Sequence, residues 1–162
     1  MNYIRRILDR VMETASIVIF AAMVLLVAFQ VFTRYVLNQP AAFTDTLTRY
    51  LFVWLVLITA TYAFGKREHM CITFIKEKLP KRHIHRIDMA IELIDLVFSA
   101  AVMVFGGIRI ASMQMVQLDS VLKIPMGVIY LIIPITGAGI MLYSLCNLND
   151  DWNALRRGKE EA

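Results

Sequence analysis

A chain of 162 residues that is 59% hydrophobic and 19% charged, with a mean hydropathy of +0.62, is more apolar than a soluble domain. Such domains run at about 45–50% apolar and about 25% charged, and apolar surface in that excess is not left facing water. The same figures exclude disorder. Two cysteines, Cys71 and Cys146, cannot build a disulfide scaffold, and the net charge of +4 speaks for nucleic acid only until the charges are placed along the chain.

Four segments are candidates to cross a hydrocarbon core, which takes roughly 20 residues at 1.5 Å each. Ala15 to Phe32 is free of charge for 18 residues, and Tyr50 to Gly65 for 16, or 19 counted from Leu47 with Arg49 near its start. Leu96 to Ile108 is uncharged for only 13, and Met126 to Leu145 for 20. Unpaired backbone is not viable in lipid, so all four are expected to be α-helices. The expectation is an all-α, four-span membrane protein, one domain over residues 1–162, with spans at roughly 15–36, 47–65, 90–112 and 125–148. A signal peptide fits the first span poorly, because its apolar run is too long and no small-residue cleavage pattern follows. It reads as a retained helix.

Of the 17 basic residues, 13 fall at the two ends and in the second connection. Arg34, Arg49, Arg109 and Lys123 make up the other side. Positive residues stay inside, so both termini are expected in the cytoplasm. Two basic amphipathic pieces flank the spans. One carries Ile4, Ile7, Leu8 and Val11 opposite Arg5 and Arg6, the other Phe74, Ile75, Leu79, Ile84 and Ile87 among Lys, Arg and His around Pro80. They suit anionic lipid headgroups at the membrane surface; a helix simply continuing the adjacent span fits the same spacing.

Polar residues near the outer edge form the first candidate site. Gln30, Arg34 and Asn38 recur every four residues, so they are expected to form one stripe at the end of span one. Asp45 and Arg49 stand i,i+4 at the start of span two, the favourable order for a helix pair, and Trp54 lies one turn below Tyr50. Such residues serve either as a capped hairpin with interfacial anchors or as a docking surface for another protein. In span three His85, Asp88, Glu92 and Asp95 share a face, and Arg109 follows Asp95 by 14 residues, roughly 21 Å along a helix. Less than a bilayer separates them, so charge dips into the membrane at one end and should meet protein rather than acyl chains. An ion or proton pathway is one reading; acids at a helix start, favoured by its dipole, are the plainer one. Pro125 suits a first helical turn. Pro134 should kink span four, and Gly106, Gly107, Gly137 and Gly139 should admit close neighbours.

Chemistry is expected elsewhere. His69, His83 and His85 all fall in the second connection, so no pair inside the membrane is placed to hold haem. The cysteines are 75 positions apart without a Cys-x-x-Cys. His83-Ile84-His85 is a weak metal pattern on a basic loop, and no Walker A, Gly-x-Ser-x-Gly or His-Glu-x-x-His string occurs. The expectation is a non-enzyme with no cofactor and no metal.

Four strings add a further pointer: Phe32-Thr33-Arg34-Tyr35-Val36-Leu37-Asn38, Thr48-Arg49-Tyr50-Leu51-Phe52-Val53-Trp54, Lys66-Arg67-Glu68-His69-Met70, and Pro125-Met126-Gly127-Val128-Ile129-Tyr130 with Pro134 after it. In order and spacing they resemble the small membrane subunit of tripartite ATP-independent periplasmic (TRAP) transporters over nearly the whole chain. One departure lies before span two, where the family's Trp-Thr with two acids is replaced by Phe43-Thr44-Asp45-Thr46; a contact needing the second carboxylate is lost. The resemblance implies an accessory, scaffold role in the bacterial inner membrane. Its implied partners are a large multi-span subunit, which carries the sodium coupling, and a periplasmic protein that delivers a carboxylate solute; membrane lipids surround it, and nucleic acid has no part. Arg34, Asn38, Asp45, Arg49, Trp54, Glu92, Asp95 and Arg109 are then candidate partner contacts. The competing reading is a self-sufficient, oligomeric ion-coupled transporter or channel using Glu92, Asp95 and Arg109.

Overall fold

The computed structural model describes the backbone of residues 2–38, 42–66 and 81–160, and the side chains of these except at 2, 4, 81–88 and 151–160. The second basic piece around Pro80, the Lys66–Met70 string beyond Lys66, Cys71, and the side chains of His83, His85 and Asp88 lie outside what is described. Among the described residues every regular element is helical apart from one isolated bridge between Leu118 and Pro125.

Helix α1 runs from Asn2 to Tyr35 without interruption. No Gly or Pro occurs in those 34 residues, so nothing breaks the hydrogen-bond ladder between the basic start and the apolar run. The first amphipathic piece is thus the opening turns of span one rather than a separate surface helix. The chain leaves α1 through Asn38, whose φ of 48° is left-handed, a conformation Asn tolerates better than most residues. Asn38 therefore lies beyond the helix and off the stripe expected with Gln30 and Arg34.

Helix α2 spans Ala42–Lys66 with Asp45 in its first turn, where the helix dipole favours a carboxylate. The third span is continuous but not uniform: α3 (Lys81–Phe98) passes into a π-helical stretch (Ser99–Gly106) and then α4 (Gly107–Met113). The fourth is split into α5 (Met126–Tyr130) and α6 (Ile132–Glu160). Pro125 immediately precedes α5, with ψ of 126°. Span four, expected to kink at Pro134, is interrupted at Leu131, just after Tyr130. Proline lacks the N–H that would bond the carbonyl four residues back and its ring crowds that carbonyl, so Pro134 loosens the helix at residue 130. Among the described residues, the four stretches long and apolar enough to span a membrane are Arg5–Tyr35, Ala42–Lys66, Met89–Met113 and Met126–Asp150.

Spans one and two form an antiparallel hairpin, and span four packs against both span two and span three. The lateral order is one, two, four, three. Span four is the centre, with 44% of its apolar stretch buried, against none of span one's. Lipid tails are as apolar as leucine, so close van der Waals fit rather than apolar burial holds such helices together. Small residues provide it. A Cβ on Gly65 would stand 2.5 Å from the Tyr143 ring, one on Gly137 2.6 Å from Met103 Cβ, and one on Gly107 2.8 Å from Pro134 Cδ. A Cβ on Gly139 would meet Met12 and Thr61 at 2.9 Å. Gly106 is different: the nearest atom would be 3.9 Å away, so it serves no close approach. The core proper joins Met12, Ile58, Ile132 and Tyr143.

Candidate functional site

The polar side chains collect at the two ends of the bundle. At the end where spans one and two are joined, Gln30 Nε2 donates to Asp45 Oδ1 at 3.4 Å, and Arg49 Nη2 pairs with Asp45 Oδ2 at 2.6 Å. The i,i+4 spacing thus makes the expected ion pair, and Asp45 also bridges to span one. The Arg49 side chain is 77% exposed, so the pair is worth about 0–1 kcal/mol. Arg34 is exposed and makes no hydrogen bond or ion pair among the described residues, and the same holds for Arg109 near the same end of the bundle, in span three. Asn38 is exposed as well. Trp54 is not a lipid-facing anchor: its Nε1 donates to Ile129 O at 3.1 Å. That carbonyl sits beside the break at Leu131, so span two steadies the weak point of span four.

A second cluster at this end was not legible in the sequence. The connection from Gln114 to Pro125 is a compact fold of its own, closed by Asp119 N to Ile124 O at 2.9 Å, Met126 N to Gln117 O at 2.8 Å and Gly127 N to Gln114 O at 3.0 Å. Lys123 turns it with φ of 58°. Asp119 Oδ1 accepts from the Val121 and Leu122 amides at 2.8 and 2.6 Å, while Oδ2 accepts from Tyr50 Oη at 2.6 Å. Tyr50 and these amides all stabilise the charged carboxylate, with Tyr50 the largest cause, and hold Asp119 below its ordinary value of 3.8. The loop between spans three and four is therefore pinned to span two across 69 positions of sequence. The only advance signal was an acid two residues before the Val121 amide, in the manner of an Asx turn.

At the other end, Tyr143 Oη donates to Asp9 Oδ1 at 2.7 Å, and Arg5 Nη2 donates to Gly65 O at 3.0 Å. Arg5 also lies 3.8 Å from Asp150. The start of span one is thereby tied to the ends of spans two and four.

Glu92 is buried and accepts from Asn147 Nδ2 at 2.9 Å. Asp95, three residues on, is half-buried. Position rules out the helix-start explanation for these acids: α3 is already helical from Lys81, so Glu92 is eleven residues inside it, and its first turn holds no acid. What makes Glu92 tolerable is protein, since span four screens it from lipid and supplies a donor. Asn147, its partner, was missed because one asparagine near a span end carries no sequence signal. The structure thus joins Asp45 to Arg49 and Gln30, Trp54 to span four and Glu92 to Asn147, while Arg34, Asn38 and Arg109 stay apart and exposed.

The lined hollows are apolar. One of about 160 Å³ lies between spans two and four among Tyr50, Val53, Met126 and Ile133. A shallower groove on span one is lined by Phe20, Met23, Val24, Val27 and Ala28.

Comparison with known proteins bears on this arrangement. The chain is 28% identical over 106 residues to the sialic acid TRAP transporter small permease protein SiaQ of Vibrio cholerae, covering 65% of this chain and 61% of that protein. It is 34% identical over 80 residues to a candidate TRAP transporter small permease protein of Haemophilus influenzae, covering 49% of this chain and 50% of that one. The chain thus spans less than two-thirds of the length of each of these relatives. Residues 23–154, which run from span one to the end of span four, match the family described as tripartite ATP-independent periplasmic transporters, DctQ component, and the chain belongs to that family.

Proposed function

We propose that the chain is the scaffold subunit of a three-part importer, docking beside a large multi-span membrane subunit that moves the solute. The observation that carries this reading is how the polar groups are used. Asp9, Asp45, Trp54, Glu92, Asp119 and Tyr143 all fasten one span or loop to another, and the hollows are apolar. The break in span four at Leu131 is covered by Trp54 and faces an apolar hollow, unlike a broken helix end whose polar groups are aimed at a substrate. An element braced internally at both ends, with a bare apolar flank on span one, is suited to holding a mobile neighbour in place.

The solute is proposed to be an organic acid, in keeping with the sialic acid named for the Vibrio cholerae relative, and its uptake to be coupled to sodium in the large subunit. Delivery falls to a periplasmic binding protein. The chain sits in the bacterial inner membrane with both termini in the cytoplasm, as the 13-to-4 division of its 17 basic residues favours. Co-expression with the large subunit of the same system should give a stoichiometric complex that survives solubilisation in mild detergent. Recovery of the two chains in separate fractions would refute the docking role.

A further inference from the structure

The opening turns of α1 project a face that the fold leaves uncovered. At 34 residues, α1 is roughly 51 Å long, well beyond a hydrocarbon core of about 30 Å. Its depth is fixed by two bonds. Arg5 reaches Gly65 O, next to the last residue of α2, and Gln30 reaches Asp45 in the first turn of α2. Asp45 and Gly65 are twenty residues apart in sequence, which corresponds to roughly 30 Å of helix and so to the thickness of the core. Arg5 therefore marks one membrane boundary, and the neighbouring turns lie at headgroup level.

Around that turn the helix has two faces. Arg5, Asp9 and Met12 point inward and are used: Arg5 on Gly65, Asp9 on Tyr143, Met12 in the core. Outward stand Tyr3, Ile7 and Val11, which are 78%, 48% and 55% exposed and spaced i, i+4 and i+8. Beside them, one turn apart, are Arg6 and Arg10, both exposed and without a hydrogen bond or ion pair among the described residues. Glu13 is exposed on the same flank and pairs with neither.

We propose that Arg6 and Arg10 bind the phosphates of anionic phospholipids while Tyr3, Ile7 and Val11 lie against the upper acyl chains. An apolar strip flanked by two free guanidinium groups at headgroup depth is complementary to such a lipid in both charge and polarity. A protein neighbour would have to bring its own carboxylates to the same depth. The assignment rests on the membrane placement of α1 and is independent of the proposed transport role. Symmetric bilayers keep its test independent of which way the chain is inserted.

The test uses the full chain carrying Ile7→p-benzoylphenylalanine, in nanodiscs of equal phosphatidylglycerol and phosphatidylcholine, with adducts identified by mass spectrometry after illumination. Phosphatidylglycerol adducts should predominate. Each arginine near an anionic surface contributes about fivefold, so Arg6→Gln with Arg10→Gln should lower the adduct ratio by about fivefold or more, as should high salt. The double lysine variant should keep the ratio and serves as the folding control. Arg34→Gln with Arg109→Gln, at the opposite end, should also leave it unchanged. An unaltered ratio in the double glutamine variant would overturn the proposal, as would an equal fall in the opposite-end variant. So would labelling of the large subunit instead of lipid in co-expressed membranes.

Discussion

Tyr50 and Asp119 meet at 2.6 Å across 69 positions of chain, and one phenolic hydroxyl thereby holds a loop whose amides Asp119 also binds. Its carboxyl is depressed below 3.8 by Tyr50 first and the Leu122 amide second. A depressed acid stabilises the fold fully above its unfolded value and loses that contribution as pH falls through the folded one. The Val121 and Leu122 amide resonances should therefore titrate with a midpoint below the ordinary carboxylate value. In Tyr50→Phe the midpoint should move up toward the ordinary value, and an unmoved midpoint would show that Tyr50 is not the cause. The exposed arginines differ from this pair in having no internal use to explain them. Replacing Arg34 by Ala should leave the thermal stability of the isolated chain within about 0.5 kcal/mol while lowering recovery of the complex with the large subunit. Arg49→Ala should act alike, its ion pair with Asp45 being solvent-screened. Unchanged complex yield in both variants would remove them from the docking surface. Local spacing made Asp45–Arg49 readable in the sequence, because i,i+4 fixes neighbours on a helix. Tyr50–Asp119 and Glu92–Asn147 were unreadable, since their partners come from different helices or loops.

Among the elements, the hydropathy runs located all four spans, and the physics is simple: a helix must be apolar for about 20 residues to cross. They underestimated continuity. Charged residues before Ala15 suggested a boundary, yet Arg and Glu are good helix formers and Asp costs less than about 1 kcal/mol, so the ladder already runs from Asn2. Pro134 signalled a disturbance of span four, and the interruption falls at Leu131, about one turn toward the N-terminus. The π-helical stretch at Ser99–Gly106 had no advance signal, because an i→i+5 ladder has no composition of its own. Glycines separate into two groups that composition cannot tell apart. Gly65→Ala drives a methyl into the Tyr143 ring, placed at 2.5 Å, and should destabilise the chain by about 1–3 kcal/mol. Gly106→Ala meets nothing closer than 3.9 Å and should be neutral or stabilising by up to about 1 kcal/mol. Thermal melts in one detergent compare the two directly, and the opposite ranking would refute the packing described for spans two and four.

Across the whole molecule, span four lies between spans two and three, and span one hangs on span two. Hydropathy alone could not supply that order, because each span is read without reference to its neighbour. It follows from where Gly65, Gly107, Gly137 and Gly139 permit contact and from the bonds that cross between helices. The result is a bundle braced at one end by Arg5 and Tyr143 and at the other by Asp45, Tyr50 and Trp54. These polar groups are used for bracing, and span one keeps an exposed apolar flank. The central claim is that this bundle supports transport without performing it. Uptake of a labelled organic acid into proteoliposomes, driven by a sodium gradient and supplied with the periplasmic binding protein, tests it most directly. Uptake should occur with both membrane subunits together and with neither alone. Full-rate uptake by the large subunit alone, or coupled flux through this chain alone, would contradict the account.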